Sequence, residues 1–286
     1  MKSVSVIIPV FNSQNTIERA VNSVINQPLV SEIILVDDGS TDNSILIAKN
    51  LITNHGLVKL FFHPSNQNRG AAASRNLGLT HAQSEWVQFL DADDELLEGK
   101  IEGQIAVSNN EMSFIAGNAI DCFEDGHQHL RKFFHDPWSG LIAGKLGITS
   151  ANLWNKKFLD KVGGWQESLS SSQEYDLMFR LLKENGKMGL CSQALTKIHK
   201  TGHSISNNPA TQADRIDNWL KLRKEIKTYL INMDMYSLSR NYVYSGYVFD
   251  FCKRNNCLSQ YDGSRFFAKL FGLEKTLKKK LSQIFV

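Results

Sequence analysis

Apolar positions along this chain follow two rhythms, and the alternation between them outlines its N-terminal part. Val4 to Val10, Glu32 to Val36, Val58 to Phe62 and Trp86 to Leu90 are short runs rich in β-branched or aromatic residues, the pattern of buried strands. Between the first two, Ile17, Ala20, Val21, Val24 and Ile25 recur at helical spacing, and Pro28 stops that helix. Between the second and third, Ser40 and Thr41 can cap a helix carrying Ile45, Leu46 and Ala48. Gly70 to Ala82, rich in Ala and Leu, supplies a third helix. Strand and helix in alternation predict a parallel, doubly wound sheet whose ligands sit beyond the carboxyl ends of its strands.

The pattern is least decisive from about Asn109 to Asn207, where short apolar runs mix with glycines. After Asn208-Pro209 the texture becomes helical, with Ile216, Trp219, Leu220, Leu222 and Ile226, then Tyr242 through Phe251. The expected division is therefore an α/β domain over 1–207 and a helical extension over 208–286. In the last segment Phe266, Leu270, Leu273, Leu277, Leu281 and Ile284 step by three or four, which puts them on one face of a basic amphipathic helix. That face either docks on the domain or makes a membrane-surface or partner contact, including the joining of two subunits as a homodimer.

Composition narrows the classes. With 286 residues and 42% hydrophobic content the chain can bury a substantial core, and a net charge of +3 gives no reason to expect a nucleic acid partner. The basic character gathers at the C-terminus, where Arg265, Lys269, Lys275, Lys278, Lys279 and Lys280 face Glu274 alone. Cys122, Cys191, Cys252 and Cys257 have neither redox nor zinc spacing and read as free thiols. Met1-Lys2 leads straight into the first strand, and no uncharged stretch approaches membrane-spanning length, so a cytoplasmic protein is expected.

Acidic residues mark the predicted strand ends. Asp37 and Asp38 leave the second strand ahead of Gly39-Ser40-Thr41-Asp42, and such carboxylates either accept hydrogen bonds from a base or ribose or begin a helix-capping turn. Asp91, Asp93 and Asp94 leave the fourth strand. A carboxylate cluster there suits Mg²⁺ or Mn²⁺, and strand alternation would turn Asp91 and Asp93 to one side. Arg69 opens a small-residue helix where it can meet a base or phosphate. Farther on, Glu174 stands three residues after Ser171, ahead of an apolar helical run. It is either half of a capping box or a general base for a sugar hydroxyl, with Asp176 as its nearest competitor. His199 and His203 flank a glycine-containing loop without zinc spacing; a loop reaching over phosphates is an alternative use for them.

Together, Val4 to Asn12, Val36 to Asp42, Asn68 to Gly78, Asp91 to Asp94 and Gln173 to Leu182 resemble, in order and spacing, the family 2 glycosyltransferases. The resemblance runs to about residue 205. It implies a GT-A type, nucleotide-binding, doubly wound mixed sheet with a C-terminal helical extension. It also implies inverting transfer of a sugar from a nucleoside-diphosphate sugar to a glycan or lipid-linked acceptor, of the bacterial polysaccharide and lipopolysaccharide type. On this reading Pro9, Phe11, Asp37 and Asp38 surround base and ribose with Arg69 nearby, Asp93 holds the metal and Asp91 contacts ribose or sugar. Trp165 belongs to the acceptor or donor-sugar side. The family's usual acidic pair ends in Asp, whereas Gln173-Glu174 stands here with Asp176 two residues later, so the base is open between Glu174 and Asp176. A nucleotidyltransferase, which lacks its phosphate loop here, and a non-catalytic nucleotide binder are the competing readings.

Overall fold

The computed structural model describes residues 2–200 and 211–284. The chain forms two compact units, one of Met1–Phe133 with Leu146–Asn208, the other of Phe134–Lys145 with Pro209–Val286.

The first unit opens with β1 (Val4–Val10), α1 (Ile17–Ile25), β2 (Val30–Asp37), α2 (Ser44–Asn54), β3 (Val58–Phe62), α3 (Ala71–His81) and β4 (Trp86–Phe89). It continues with β5 (Glu95–Leu96), α4 (Lys100–Ala106), β6 (Phe114–Gly117), β7 (Ala119–Phe123) and β8 (Gln128–Arg131). After α5 (Pro137–Ala143), which belongs to the second unit, come β9 (Leu153–Asn155), α6 (Lys156–Lys161), α7 (Gln173–Asn185), β10 (Met188–Cys191) and β11 (Thr196–Lys200). The expected strands and helices of the N-terminal part form within two residues of their predicted ends, except that α2 starts later than Ser40-Thr41 implied. Asp42 explains the delay: its carboxylate accepts from the Ser44 backbone N–H at 2.9 Å, while Ser40 and Thr41 are bonded to Asn12 in the preceding loop.

Seven strands form the main sheet in the order β10-β6-β9-β4-β1-β2-β3. The β4-β1-β2-β3 half is parallel, as predicted. β9 runs antiparallel between β4 and β6, which makes the whole sheet mixed. A smaller sheet, β5-β11-β7-β8, completes the unit. Val6, Ile8, Ile33 and Leu35 pack with Ile17, Val21 and Val24 in one fully buried cluster, each such side chain stabilising by about 1.5–3 kcal/mol. α3 lies close on β1 because Gly78 lacks the Cβ that would strike Ile7.

Glu32 ties three strands together. Its buried carboxylate accepts from Ser5 Oγ of β1 (2.7 Å), Lys59 Nζ of β3 (2.8 Å) and the Gln83 backbone N–H (2.7 Å). Burial pushes its pKa up, but the bonds from Lys59, Ser5 and Gln83 outweigh that and hold it below the usual carboxylate value. A depressed pKa stabilises the fold above the unfolded pKa, and that contribution disappears as pH falls through the folded one. Glu32→Gln is thus expected to cost roughly 1–3 kcal/mol in denaturant unfolding at about pH 7. The gap to the wild type should narrow as pH falls through the lowered pKa of Glu32, below which the group is protonated in both states.

The second unit is helical: α5 packs with α8 (Gln212–Asn232) and α9 (Leu238–Arg254), and α10 (Arg265–Ile284) follows. Trp138, Leu141 and Ile142 join Leu220, Ile226, Leu230, Tyr244 and Val248 among its buried apolar side chains. Arg240 grips Asp136 through two bonds of 2.8 and 3.1 Å, and Asp136 also caps α5 by accepting from Ser139 N–H. Among the described residues, no helix is long and apolar enough to cross a membrane. All four cysteines are free.

Candidate active site

Strand order defines where a ligand can lie. The chain builds outward from β1 to β2 and β3, then returns to place β4 on the other side of β1, so the order reverses between β1 and β4. Such a switch point opens a crevice at the carboxyl ends. Pro9, in register with Val36, and exposed Phe11 stand at the end of β1, Asp37 and Asp38 at the end of β2, and Asp91 to Asp94 after β4.

The two acids after β2 are both buried and do different things. Asp37 Oδ2 accepts from the backbone N–H groups of Gly39 (3.0 Å) and Ser40 (3.1 Å), holding a turn that needs the positive φ of Gly39. Its Oδ1 is buried with no hydrogen-bond partner. Asp38 is fully engaged: it accepts from the N–H groups of Arg69 at 2.7 Å and Gly70 at 2.9 Å, and His63 Nε2 lies 3.5 Å away. Asp38 therefore fixes the entry to α3. The Arg69 guanidinium is exposed and reaches Glu167 at 3.2 Å.

β4 ends at Phe89, so Asp91 to Asp94 lie beyond the strand in a turn closed by Asp94 N–H donating to Asp91 O at 3.0 Å. Strand alternation, expected to align Asp91 with Asp93, does not extend to them. Asp91 Oδ1 receives a 2.5 Å bond from Arg75, whose buried guanidinium also sits 4.6 Å over the Trp165 ring. Trp165 is buried edge-on against Phe89 and Trp154, and Asn76 clasps its backbone N–H and C=O at 2.8 and 2.9 Å. Trp165 thus supports Arg75 and leaves little ring face for a sugar. Asp94 is buried and accepts from Ser150 Oγ at 2.6 Å, while Arg19 donates to the Asp93 backbone carbonyl at 2.6 Å.

The protein packed around Asp93 desolvates it, although its side chain meets solvent, and with the Asp91 charge this raises its pKa. Asp94 is raised well above the carboxylate range by burial and then by Asp91 and Asp93. The three carboxylates are hard oxygen donors whose mutual repulsion a divalent cation would relieve. Among the described residues no three His, Cys, Asp or Glu side chains converge as a complete cage.

Of the two alternatives for Glu174, the capping box with Ser171 is not the one the helix start adopts. The N-cap of α7 is Ser172, in a left-handed conformation with no side-chain capping bond. Glu174, half-buried in the first turn, has no hydrogen bond or ion pair among the described residues. Asp176 is committed to Arg180 at 2.8 Å, and Arg180 in turn donates to Val162 O at 2.8 Å. His199, on β11, approaches Glu95 at 3.4 Å; His203 lies outside the described residues.

Arg75, Asn76 and Ser150 were not singled out in the sequence, because each matters only through a partner at least sixteen residues away. Of the buried polar atoms without partners, Asp37 Oδ1, Arg75 Nε and Trp165 Nε1 all belong to residues of this region.

The chain is similar to known proteins in sequence and in fold. An uncharacterized glycosyltransferase of Haemophilus influenzae is 42% identical over 130 residues, 45% of this chain, and the chain spans about half (51%) of that relative's length. The Escherichia coli UDP-Glc:alpha-D-GlcNAc-diphosphoundecaprenol beta-1,3-glucosyltransferase WfgD is 35% identical over 224 residues, 74% of this chain and 83% of that protein. S. aureus TarS 1–349, solved in complex with UDP-GlcNAc, superposes with a TM-score of 0.69 over 91% of this chain and 75% of that one, at 19% identity; it shares the GT-A fold. Residues 5–164 match the model of glycosyl transferase family 2, and with more than half of its length inside that match the chain belongs to this family.

Proposed function

We propose that the chain is a metal-dependent, inverting glycosyltransferase that moves a sugar from a nucleoside-diphosphate donor to a hydroxyl of a glycan or lipid-linked acceptor in cell-surface polysaccharide synthesis. The observation that carries this reading is the carboxylate cluster after β4 at the switch point beside β1, with Arg75 locking Asp91. Pro9, Phe11 and Asp37 would line the base and ribose, where the unpartnered Asp37 Oδ1 offers an acceptor. Asp38 contributes by holding the loop that presents Arg69. Asp91 and Asp93 would hold Mn²⁺ or Mg²⁺, which when bound supplies Lewis-acid stabilisation to the leaving diphosphate. Glu174 takes the acceptor hydroxyl proton as the acceptor oxygen bonds to the anomeric carbon and the bond from that carbon to the diphosphate breaks.

Because WfgD is named for UDP-Glc and a diphosphoundecaprenol-linked acceptor, a uridine diphosphate sugar and a polyprenyl-diphosphate glycan are the first pair to try. That acceptor class would place the chain in the cytoplasm, at the inner face of the plasma membrane. Calorimetric titration with UDP, GDP, dTDP and CMP, each with Mn²⁺ and again with EDTA, tests the donor side. The expected result is binding of one nucleoside diphosphate that disappears in EDTA; binding of none would overturn the proposal.

A further inference from the structure

The last helix uses an unexpected face for packing. Phe267 and Phe271 of α10 meet Tyr242 and Tyr247 of α9, with the Phe271 ring against Gly246, and Ala268 is buried beside them. Lys275 pairs with Asp250 at 2.6 Å and Glu274 accepts from Tyr242, so polar contacts secure the same side. Phe266, Leu270, Leu273, Leu277 and Leu281 are therefore not the docked face: every one is exposed, from 45% for Leu270 to 71% for Phe266. At about 100° per residue these five occupy a single stripe, and Arg265, Lys269 and Lys280 line one border of it.

We propose that this stripe is a membrane-surface anchor that lies on anionic phospholipid. A helix with a continuous apolar face bordered by lysine sinks that face to the boundary between headgroups and acyl chains, while the cations meet lipid phosphates. Charge decides against a second copy as the occupant. Arg265, Lys269 and Lys280 border the stripe, so two such helices paired through their leucines would bring these like charges together, whereas an anionic surface complements them. The inference concerns the second unit and is independent of the catalytic reading.

The test is sedimentation of the full chain with phosphatidylcholine vesicles, with and without phosphatidylglycerol. Binding is expected only with phosphatidylglycerol. Leu273→Glu with Leu277→Glu should reduce the partition coefficient at least tenfold. Lys269→Gln with Lys280→Gln should weaken it several-fold and flatten its salt dependence. Both pairs are solvent-facing, so circular dichroism and nucleotide affinity should match the wild type and confirm folding. Absence of wild-type binding, or undiminished binding by the leucine variant, would overturn the anchor. So would a wild-type dimer in sedimentation velocity that the leucine variant abolishes, because a second copy would then cover the stripe. Nucleotide titration on the same preparations keeps a failed anchor distinct from a failed glycosyltransferase assignment.

Discussion

Glu174→Gln is expected to lower the rate of sugar transfer by about 10²- to 10⁴-fold while nucleoside diphosphate affinity stays within about twofold of the wild type. The amide keeps the size and polarity of the side chain but cannot take a proton at neutral pH. Glu174 makes no hydrogen bond or ion pair among the described residues, so a loss of rate with unchanged thermal unfolding reports chemistry. Asp176→Asn is the matched control. Asp176 is bound to Arg180, which also holds the Val162 carbonyl, so this change should lower stability by about 1–2 kcal/mol while leaving much of the turnover. Steady-state product formation, calorimetry and thermal unfolding on both variants separate the roles. If Glu174→Gln turned over normally and Asp176→Asn did not, the base would be Asp176.

The second large effect is expected at Asp93. Asp93→Asn should weaken nucleoside diphosphate binding in Mn²⁺ by tenfold or more, about 1.4 kcal/mol or greater, down to the affinity the wild type shows in EDTA. Turnover should fall by roughly 10³-fold, as expected when a group stabilising the leaving charge is lost. Asp93 is exposed, and the bond from Arg19 goes to its backbone carbonyl, which asparagine keeps, so stability should change little. Asp94→Asn provides the contrast, because an amide oxygen can still accept from Ser150 Oγ and the change removes a charge that Asp91 and Asp93 oppose. Its melting temperature should stay at or above that of the wild type. Nucleotide affinity of Asp93→Asn that still responded to EDTA as the wild type does would remove Asp93 from the metal site.

Much of this fold was legible in the chain. β1 to β4 and the helices between them follow from runs and periods that report local geometry and the direction of the core, and β1 and β3 match their predicted limits. The acidic strand ends were legible too, since a carboxylate after an apolar run must emerge where the strand stops. The use of each carboxylate was not. Asp37 and Asp38 are adjacent and chemically alike, yet one keeps an unpartnered buried oxygen and the other is consumed by Arg69 and Gly70, a difference set by the loop before α3.

The sequence by itself determined the strand and helix order, the positions of the candidate carboxylates and the amphipathic, basic character of the last helix, because these depend on neighbours within a turn or a pleat. Only the tertiary structure decided that β9 enters the sheet antiparallel between β4 and β6, and that residues 134–145 join the helical unit. It alone decided that Arg75 locks Asp91, that Arg180 occupies Asp176 while Glu174 has no such partner among the described residues, and that α10 packs through its phenylalanines and exposes its leucines. The physical reason is the same throughout: periodicity reports which side of an element is apolar, whereas the partner of a charge and the cover of an apolar stripe come from residues that the chain fold brings together from far along the sequence.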